Sequence, residues 1–229
     1  REVDSFYGVV SRYALGQKID ISFKLPEIHS GFSAWLSEQR GGKRVVALLQ
    51  LGEIHAAERE IRYLWMEMPE KYRMGVMRFS EENGMAGLSF RVAEIFRKDT
   101  GVSWYGALYP HPKFKTDFSI DEALVWSISR QESGFNPRAK SRAKAAGLMQ
   151  LMPSTASFIA RDRGYRGRKR HQLFEPELNL KLGQKYIQHL LKEPFIKSSL
   201  IRLLISYNGG PGNLRKWLNK IDHQDDPFL

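Results

Sequence analysis

The sequence predicts an all-α fold, because apolar residues recur at three- and four-residue spacing along most of the 229-residue chain and strand patterns are almost missing. Between residues 53 and 68 the apolar positions fall on one helical face: Ile54, Ala57, Ile61, Leu64, Trp65 and Met68. Pro69 is expected to end or restart that helix. Breaks are also expected at Gly41-Gly42, Gly52 and Asn83-Gly84. The pattern predicts antiparallel helix pairs stacked in a solenoid-like arrangement.

A proline-containing stretch separates the two halves of the chain. Pro110 and Pro112 break a helix and favour extended backbone before them. We therefore expect a domain boundary here, with a helical domain over residues 1–112 and a second domain over residues 113–229.

The composition excludes several classes of protein. Apolar residues make up 42% of the chain and charged residues 27%, as in ordinary globular proteins. The chain has no cysteine, so disulfides, thiolate metal sites and cysteine nucleophiles are excluded. No two of the six histidines have metal-ligand spacing, and neither a metal nor a cofactor is expected. The longest apolar run, residues 45–49, is far short of the roughly 20 residues that span a membrane.

Positive charge is concentrated in the second half of the chain. Residues 116–229 hold 19 Lys or Arg against 11 Asp or Glu, and the densest cluster is Arg161, Arg163, Arg166, Arg168, Lys169 and Arg170. Such a surface attracts polyanions, including nucleic acid, anionic lipid and the acidic stem peptides of cell walls. A solvated loop that keeps the protein soluble explains the cluster equally well. No recognised nucleic-acid motif is present, so nucleic acid is not expected as the main partner.

The strongest candidate for chemistry is Glu132. Ser119 and Glu122 form a capping box that predicts the start of a helix. The apolar face of this helix is marked by Ile120, Leu124 and Ile128. Glu132 continues that face in the last turn, just before Gly134. A carboxylate in this position is unexpected for stability alone.

Two effects are expected to raise the pKa of Glu132. Partial burial on an apolar face disfavours the charged carboxylate, and so does the negative end of the helix dipole. Arg130 and Lys140 are close in sequence and could oppose the shift by pairing with Glu132. A raised pKa is what a general acid needs near neutral pH.

Two segments carry a more specific signal. Residues 130–156 read RQESGFNPRAKSRAKAAGLMQLMPSTA, and residues 206–217 read SYNGGPGNLRKW. Both resemble the soluble lytic transglycosylase family, whose motifs occur here in the same order. The resemblance implies a lysozyme-like catalytic domain, preceded by a helical-hairpin, solenoid-like linker region. It also implies a periplasmic lyase that acts on peptidoglycan glycan strands, with proteins of cell-wall, division or secretion complexes as further partners.

The resemblance also assigns roles to individual residues. Glu132 matches the catalytic glutamate of the family. Gln150 is expected to hydrogen-bond the saccharide, Met152 to pack against it, and Ser141 to lie near it. Tyr207 is expected to point at the catalytic glutamate, and Asn208 to support its loop in the substrate site. Gly209 stands where many members have alanine, which could loosen the turn.

The family chemistry uses one acid and no cofactor. Glu132 would protonate the glycosidic oxygen between N-acetylmuramic acid and N-acetylglucosamine, and would then take a proton from the muramyl 6-hydroxyl to close a 1,6-anhydro ring. The acidic residues Asp162, Glu175, Glu177 and Glu193 are interpreted as structural. Two alternatives stay open: a goose-type muramidase that uses water as acceptor, and a non-catalytic module that only binds or organises peptidoglycan.

Overall fold

The computed structural model describes residues 6–19, 21–196 and 199–220. The chain divides into two compact units, Arg1–Lys113 and Phe114–Leu229. The described residues form helices and no strands, which confirms the predicted all-α fold. None of the helices in these ranges is both long enough and apolar enough to cross a membrane.

The first unit is built from short helices that follow one another closely. They are α1 (Phe6–Ala14), α2 (Phe32–Glu38), α3 (Arg40–Gln50), α4 (Ile54–Leu64), α5 (Glu70–Arg73), α6 (Val76–Glu82), α7 (Ala86–Thr100) and α8 (Tyr105–Leu108). Neighbouring helices pack against each other, α3 on α4 and α6 on α7 among them. One apolar core fills the unit, and side chains such as Phe32, Val45, Ile61 and Met77 are almost completely buried in it.

Two helix boundaries in this unit differ from the predicted ones. Gly41 and Gly42 do not break a helix but lie in the first turn of α3, and the chain breaks at Gln39 instead. A Cβ atom on Gly42 would lie 1.6 Å from the carbonyl oxygen of Leu36, so this glycine permits close approach of α2. Helix α4 ends at Leu64, earlier than the apolar pattern predicts, and residues 65–67 form turns ahead of Pro69, which cannot continue a helix.

The second unit contains five further α-helices within its described residues. They are α9 (Glu122–Ser133), α10 (Pro153–Ala160), α11 (Pro176–Leu191), α12 (Leu200–Gly209) and α13 (Pro211–Leu218). Short 3₁₀ turns, Arg163–Arg166 and Arg170–Phe174, connect α10 to α11. The predicted capping box at the start of α9 is wrong. Asp121 caps the helix by accepting from the Leu124 amide, whereas Ser119 hydrogen-bonds Gln184.

An irregular segment, residues 139–151, connects the end of α9 to α10 and is referred to below as the 139–151 loop. Its regular structure is limited to two isolated bridges, Lys140 with Ala146 and Ala146 with Leu151. Backbone groups in such a loop need partners from elsewhere if they are buried. The main partner is a single side chain on α11, Asn179.

Asn179 is completely buried and uses its whole amide group on backbone atoms. Its Oδ1 accepts from the Met149 amide at 2.8 Å, and its Nδ2 donates to the carbonyl oxygens of Ala146 at 2.9 Å and Leu173 at 2.8 Å. Gly147 lies directly against it with φ of 81°, and a Cβ atom there would be 2.3 Å from Nδ2. Gly147 is therefore required both by the backbone conformation and by the space.

We predict that Asn179→Ala destabilises the second unit by about 3 kcal/mol, because it leaves the Met149 amide and the Leu173 carbonyl without partners and removes one of the two hydrogen bonds to the Ala146 carbonyl. Asn213→Ala is the matched control, since the exposed Asn213 makes one hydrogen bond, from Nδ2 to the Gly209 carbonyl at 2.8 Å. We expect its cost to be about 1 kcal/mol or less. Denaturant unfolding monitored by circular dichroism measures both. Equal costs for the two variants would contradict the role of Asn179.

Candidate active site

Glu132 occupies the penultimate position of α9 and is half-buried. The helix ends immediately afterwards, where Gly134 takes a left-handed conformation with φ of 56° and donates to the carbonyl of Arg130 at 3.0 Å. Phe135, also left-handed and 3% exposed, then turns the chain back into the apolar interior. This sharp stop fixes the carboxyl group at the end of a rigid helix.

Burial raises the pKa of Glu132 above its ordinary value. The direction agrees with the expectation from the sequence, and burial is the cause. Neither Arg130 nor Lys140 contributes a compensating effect. A carboxyl group in this environment keeps its proton to higher pH than an exposed glutamate, which suits a proton donor.

Tyr207, on α12, lies in the electrostatic neighbourhood of Glu132. Burial raises the pKa of Tyr207 well above its usual range, and the charges of Glu132 and Tyr186 raise it further. The phenol is therefore neutral and acts as a donor. Its hydroxyl group donates to the backbone carbonyl of Met149 at 2.7 Å, so its proton is directed at the 139–151 loop and not at Glu132.

Gln150 lies at the exit of the same loop, in a left-handed conformation with φ of 46°. Its Nε2 group donates to the carbonyl oxygens of Ala139 at 3.1 Å and Gly147 at 2.9 Å. The amide nitrogen is thus committed to the loop itself. Within the described residues the Oε1 atom has no hydrogen-bond partner, so Gln150 has an acceptor left for another molecule.

The two methionines of the loop have opposite environments. Met149 is fully buried, and its thioether lies against Gly183 of α11, where a Cβ atom would be only 2.1 Å from the sulfur. Met152 is 37% exposed at the N-cap position of α10. Met149 therefore fills the core, and Met152 is the methionine that a ligand could contact.

The two serines of the first motif, Ser133 and Ser141, make hydrogen bonds to backbone groups four residues away. The Ser141 hydroxyl oxygen accepts from the Ala145 amide at 3.0 Å and so closes a turn of the 139–151 loop. Ser133 donates to the Ser129 carbonyl at 3.0 Å along α9. The structure places Ser141 in the loop with Gln150.

The C-terminal motif is held together differently from the family expectation. Asn208 is exposed, and its side chain makes no hydrogen bond to the described part of the chain. The expectation that Asn208 supports its loop is therefore wrong; Asn213 supports the helix end by bonding the Gly209 carbonyl. Gly209 is the last helical residue of α12, and a Cβ atom there would lie 3.2 Å from the Trp217 ring, so alanine would be crowded at this position.

The other carboxylates that were interpreted as structural have structural surroundings. Asp162 pairs with Lys169 at 2.7 Å, and Glu193 lies 3.5 Å from Arg215. Glu175 and Glu177 are exposed at the start of α11. In the ranges that the structure describes, no three His, Asp or Glu side chains form a group that could hold a metal ion.

Three residues that position the site were not singled out from the sequence: Asn179, Tyr186 and Asn213. Tyr186 packs against Tyr207 with ring centroids 5.4 Å apart. A polar residue on the buried face of α11 was the signal that could have drawn attention to Asn179. No comparable signal marks Tyr186, because an aromatic residue in a helix is ordinary core material.

Comparisons with known proteins show what this chain is similar to. In sequence, residues 112–227 match the model of the family described as the transglycosylase SLT domain. A soluble lytic murein transglycosylase of Salmonella typhimurium is 39% identical over 102 residues, which cover 43% of this chain and 15% of the relative. The corresponding protein of Escherichia coli K12 is 35% identical over 107 residues, covering 46% of this chain and 16% of the relative.

The fold is also found among solved structures. The crystal structure of the 70 kDa soluble lytic transglycosylase of Escherichia coli is similar, with a TM-score of 0.74 and 24% identity, covering 93% of this chain and 35% of the other. In the sequence comparison, the chain spans about one sixth of the length of the curated relatives that it matches. Since the family model matches half of the chain, and since the motifs around Glu132 and Tyr207 fall inside that match, the chain belongs to the transglycosylase SLT domain family.

Proposed function

We propose that this chain is a lytic transglycosylase that cleaves the β-1,4 bond between N-acetylmuramic acid and N-acetylglucosamine in peptidoglycan, without water, to give 1,6-anhydromuramyl products. The observation that carries the proposal is the half-buried Glu132 at the end of α9, with a raised pKa, in a chain that belongs to the transglycosylase family. The relatives named above are murein transglycosylases. Residues 113–229 are proposed as the catalytic domain and residues 1–112 as a helical linker domain.

In the first step Glu132 acts as general acid. Its protonated carboxyl group donates to the glycosidic oxygen as the bond to the anomeric carbon of the muramyl sugar breaks. Positive charge develops at that carbon, and the acetamido group of the substrate stabilises it. No second protein carboxylate is needed for this step, which fits the structural roles of Asp162 and Glu193.

In the second step the ionised Glu132 acts as base. It takes the proton from the 6-hydroxyl of the same muramyl sugar, whose oxygen then bonds to the anomeric carbon and closes the anhydro ring. Glu132 ends protonated, as it began. The attacking hydroxyl is tethered to the sugar, so its effective concentration is high and no water molecule needs to be captured.

The neighbours of Glu132 are proposed to act on its proton and on the sugar. Because Tyr207 donates its own proton to Met149, only lone pairs of its oxygen remain for a neighbour, which favours the protonated form of Glu132. Gln150 offers its Oε1 atom to sugar hydroxyl or amide groups, and Met152 offers an exposed apolar surface to a ring face. Ser141 and Asn208 are proposed to contact the saccharide from the rim of the site.

Peptidoglycan lies outside the cytoplasmic membrane, so we place this activity in the periplasm.

We predict that Glu132→Gln lowers turnover of purified sacculi by about 10²- to 10⁴-fold while leaving binding intact, because glutamine keeps the shape but cannot transfer the proton. Mass spectrometry of the released muropeptides gives the measurement. The exposed Glu177→Gln is the matched control and should retain wild-type turnover. Wild-type products heavier by one water would identify a hydrolytic muramidase instead. Undiminished turnover by Glu132→Gln would remove Glu132 from the mechanism.

We predict that Glu132→Gln becomes progressively more stable than the wild type as the pH rises. Since burial raises the pKa of Glu132 in the folded state, folding favours the protonated form. The contribution of that proton is complete below the pKa of the unfolded chain and is lost as the pH rises through the higher folded-state pKa. Glutamine does not titrate. Denaturant unfolding of both proteins across this pH range measures the difference, and a pH-independent difference would contradict the raised pKa.

We predict that Tyr207→Phe costs about 1–2 kcal/mol of stability and also lowers kcat, because it removes the donor to the Met149 carbonyl and displaces the 139–151 loop. Tyr186→Phe is the matched control: its ring packs on Tyr207, but its hydroxyl makes no hydrogen bond to the described residues. This variant should be close to the wild type in unfolding and in turnover. Equal losses in both variants would show that the Met149 hydrogen bond is not the cause.

A further inference from the structure

A basic surface with two shallow depressions lies around the C-terminal end of α10. The depressions have volumes of about 410 and 620 Å³, and both are lined by Phe158 and Arg161. Further cations complete them: Lys185 and Lys192 in the first, and Arg163 and Arg166 in the second. These six residues are referred to below as the α10 basic surface. Along the axis of α10, Phe158 lies about 9 Å and Arg161 about 13 Å from Met152.

The cations of the α10 basic surface have no acidic partners in the part of the chain that the structure describes. All five are exposed, and none of their side chains makes an ion pair or hydrogen bond there. Asp162, which lines the second depression, is already used, because it pairs with Lys169 and accepts from the Gly164 amide. The surface thus holds five positive charges that an anionic ligand could neutralise.

Arg161 occupies a position where another residue would be better for stability. It ends α10 in a left-handed conformation, with φ of 54° and ψ of 36°. Glycine is the usual residue there, because a side chain in this conformation costs of the order of 1 kcal/mol. An arginine that lines both depressions, without a partner of its own, points to a role for its guanidinium group in binding.

Phe158 adds an apolar face beside these charges. It is 59% exposed, and it meets His189 edge to face with ring centroids 5.0 Å apart. An exposed aromatic ring next to guanidinium groups suits a ligand in which short apolar parts alternate with carboxylates. The Arg fork matches a carboxylate with two parallel hydrogen bonds.

We propose that the α10 basic surface binds the carboxylate-bearing stem peptides of peptidoglycan, outside the site of Glu132. The identity of this ligand rests on the proposed function. Depressions of this size accommodate a few residues of an extended peptide. Peptides attached along a glycan strand would then hold the strand while its sugars lie in the catalytic site. A duplex nucleic acid fits less well, because its phosphates require cations spread along a backbone track and no recognition motif accompanies these.

The test uses the Glu132→Gln protein, which does not consume the substrate. Co-sedimentation measures its Kd for intact sacculi, and a soluble binding assay measures its Kd for glycan strands whose peptides an amidase has removed. Adding Arg161→Gln should weaken binding to intact sacculi about tenfold, the loss of one good charge-assisted contact, and leave binding to peptide-free strands unchanged. Adding Phe158→Ala should act in the same direction.

Arg168→Gln is the matched control, because Arg168 is exposed in the same segment but lines neither depression. It removes the same charge and should leave both affinities within about twofold, since its side chain lines neither depression and so makes no direct contact with a ligand there. Arg161→Gly separates binding from folding: it relieves the left-handed strain, so it should keep or raise the Tm while weakening binding to sacculi.

Several results would overturn the proposal. These are unchanged binding of Arg161→Gln to intact sacculi, an equal loss on peptide-free strands, or an equal loss with Arg168→Gln. A short DNA duplex that binds tightly and loses affinity in Arg161→Gln, with sacculus binding retained, would assign the surface to nucleic acid. Failure of the proposed function is seen separately, as the absence of anhydro products from the wild type on peptide-free strands.

Discussion

The second unit depends on the buried amide of Asn179. The 139–151 loop has almost no regular structure, yet it carries Gln150 and leads to Met152, two of the residues proposed to contact the saccharide. One side chain on the rigid helix α11 satisfies the amide of Met149 and the carbonyls of Ala146 and Leu173. Buried backbone groups without partners would cost more than the loop could recover by packing. The conformation of the loop therefore depends on its hydrogen bonds to a side chain of α11.

Tyr207, which follows the 139–151 loop in the sequence and lies on α12, holds the same loop. Its hydroxyl bonds the Met149 carbonyl, so the backbone of this one residue is held by α11 through its amide and by α12 through its carbonyl. Glu132 is held independently, by the abrupt end of α9 at Gly134. Glu132 and the 139–151 loop are thus positioned by three helices, which is the rigidity that the proposed proton transfer requires.

Local features of the site could be predicted from the sequence, and long-range features could not. Apolar spacing and Gly134 place Glu132 at the end of a helix, because both signals lie within a few residues of it. The bond from Tyr207 to Met149 joins residues 58 apart, and the bond from Asn179 to Met149 joins residues 30 apart. No periodicity encodes such pairs. Ser119 shows that a local pattern can also mislead. Its spacing to Glu122 fits a capping box, but Ser119 hydrogen-bonds Gln184 instead, and Asp121 caps the helix.

The distribution of charge in the second unit is compatible with the raised pKa of Glu132. Residues 116–229 carry a clear excess of positive charge, yet no cation in the described ranges lowers the pKa of Glu132, and burial sets the direction of its shift. A single guanidinium beside that carboxyl group would favour its ionised form and lower its pKa. Arg161, the first cation of the α10 basic surface in the sequence, lies about 13 Å along α10 from Met152. Polyanion attraction and a protonated glutamate can coexist in one small domain when the cations lie where they do not lower the pKa of that glutamate.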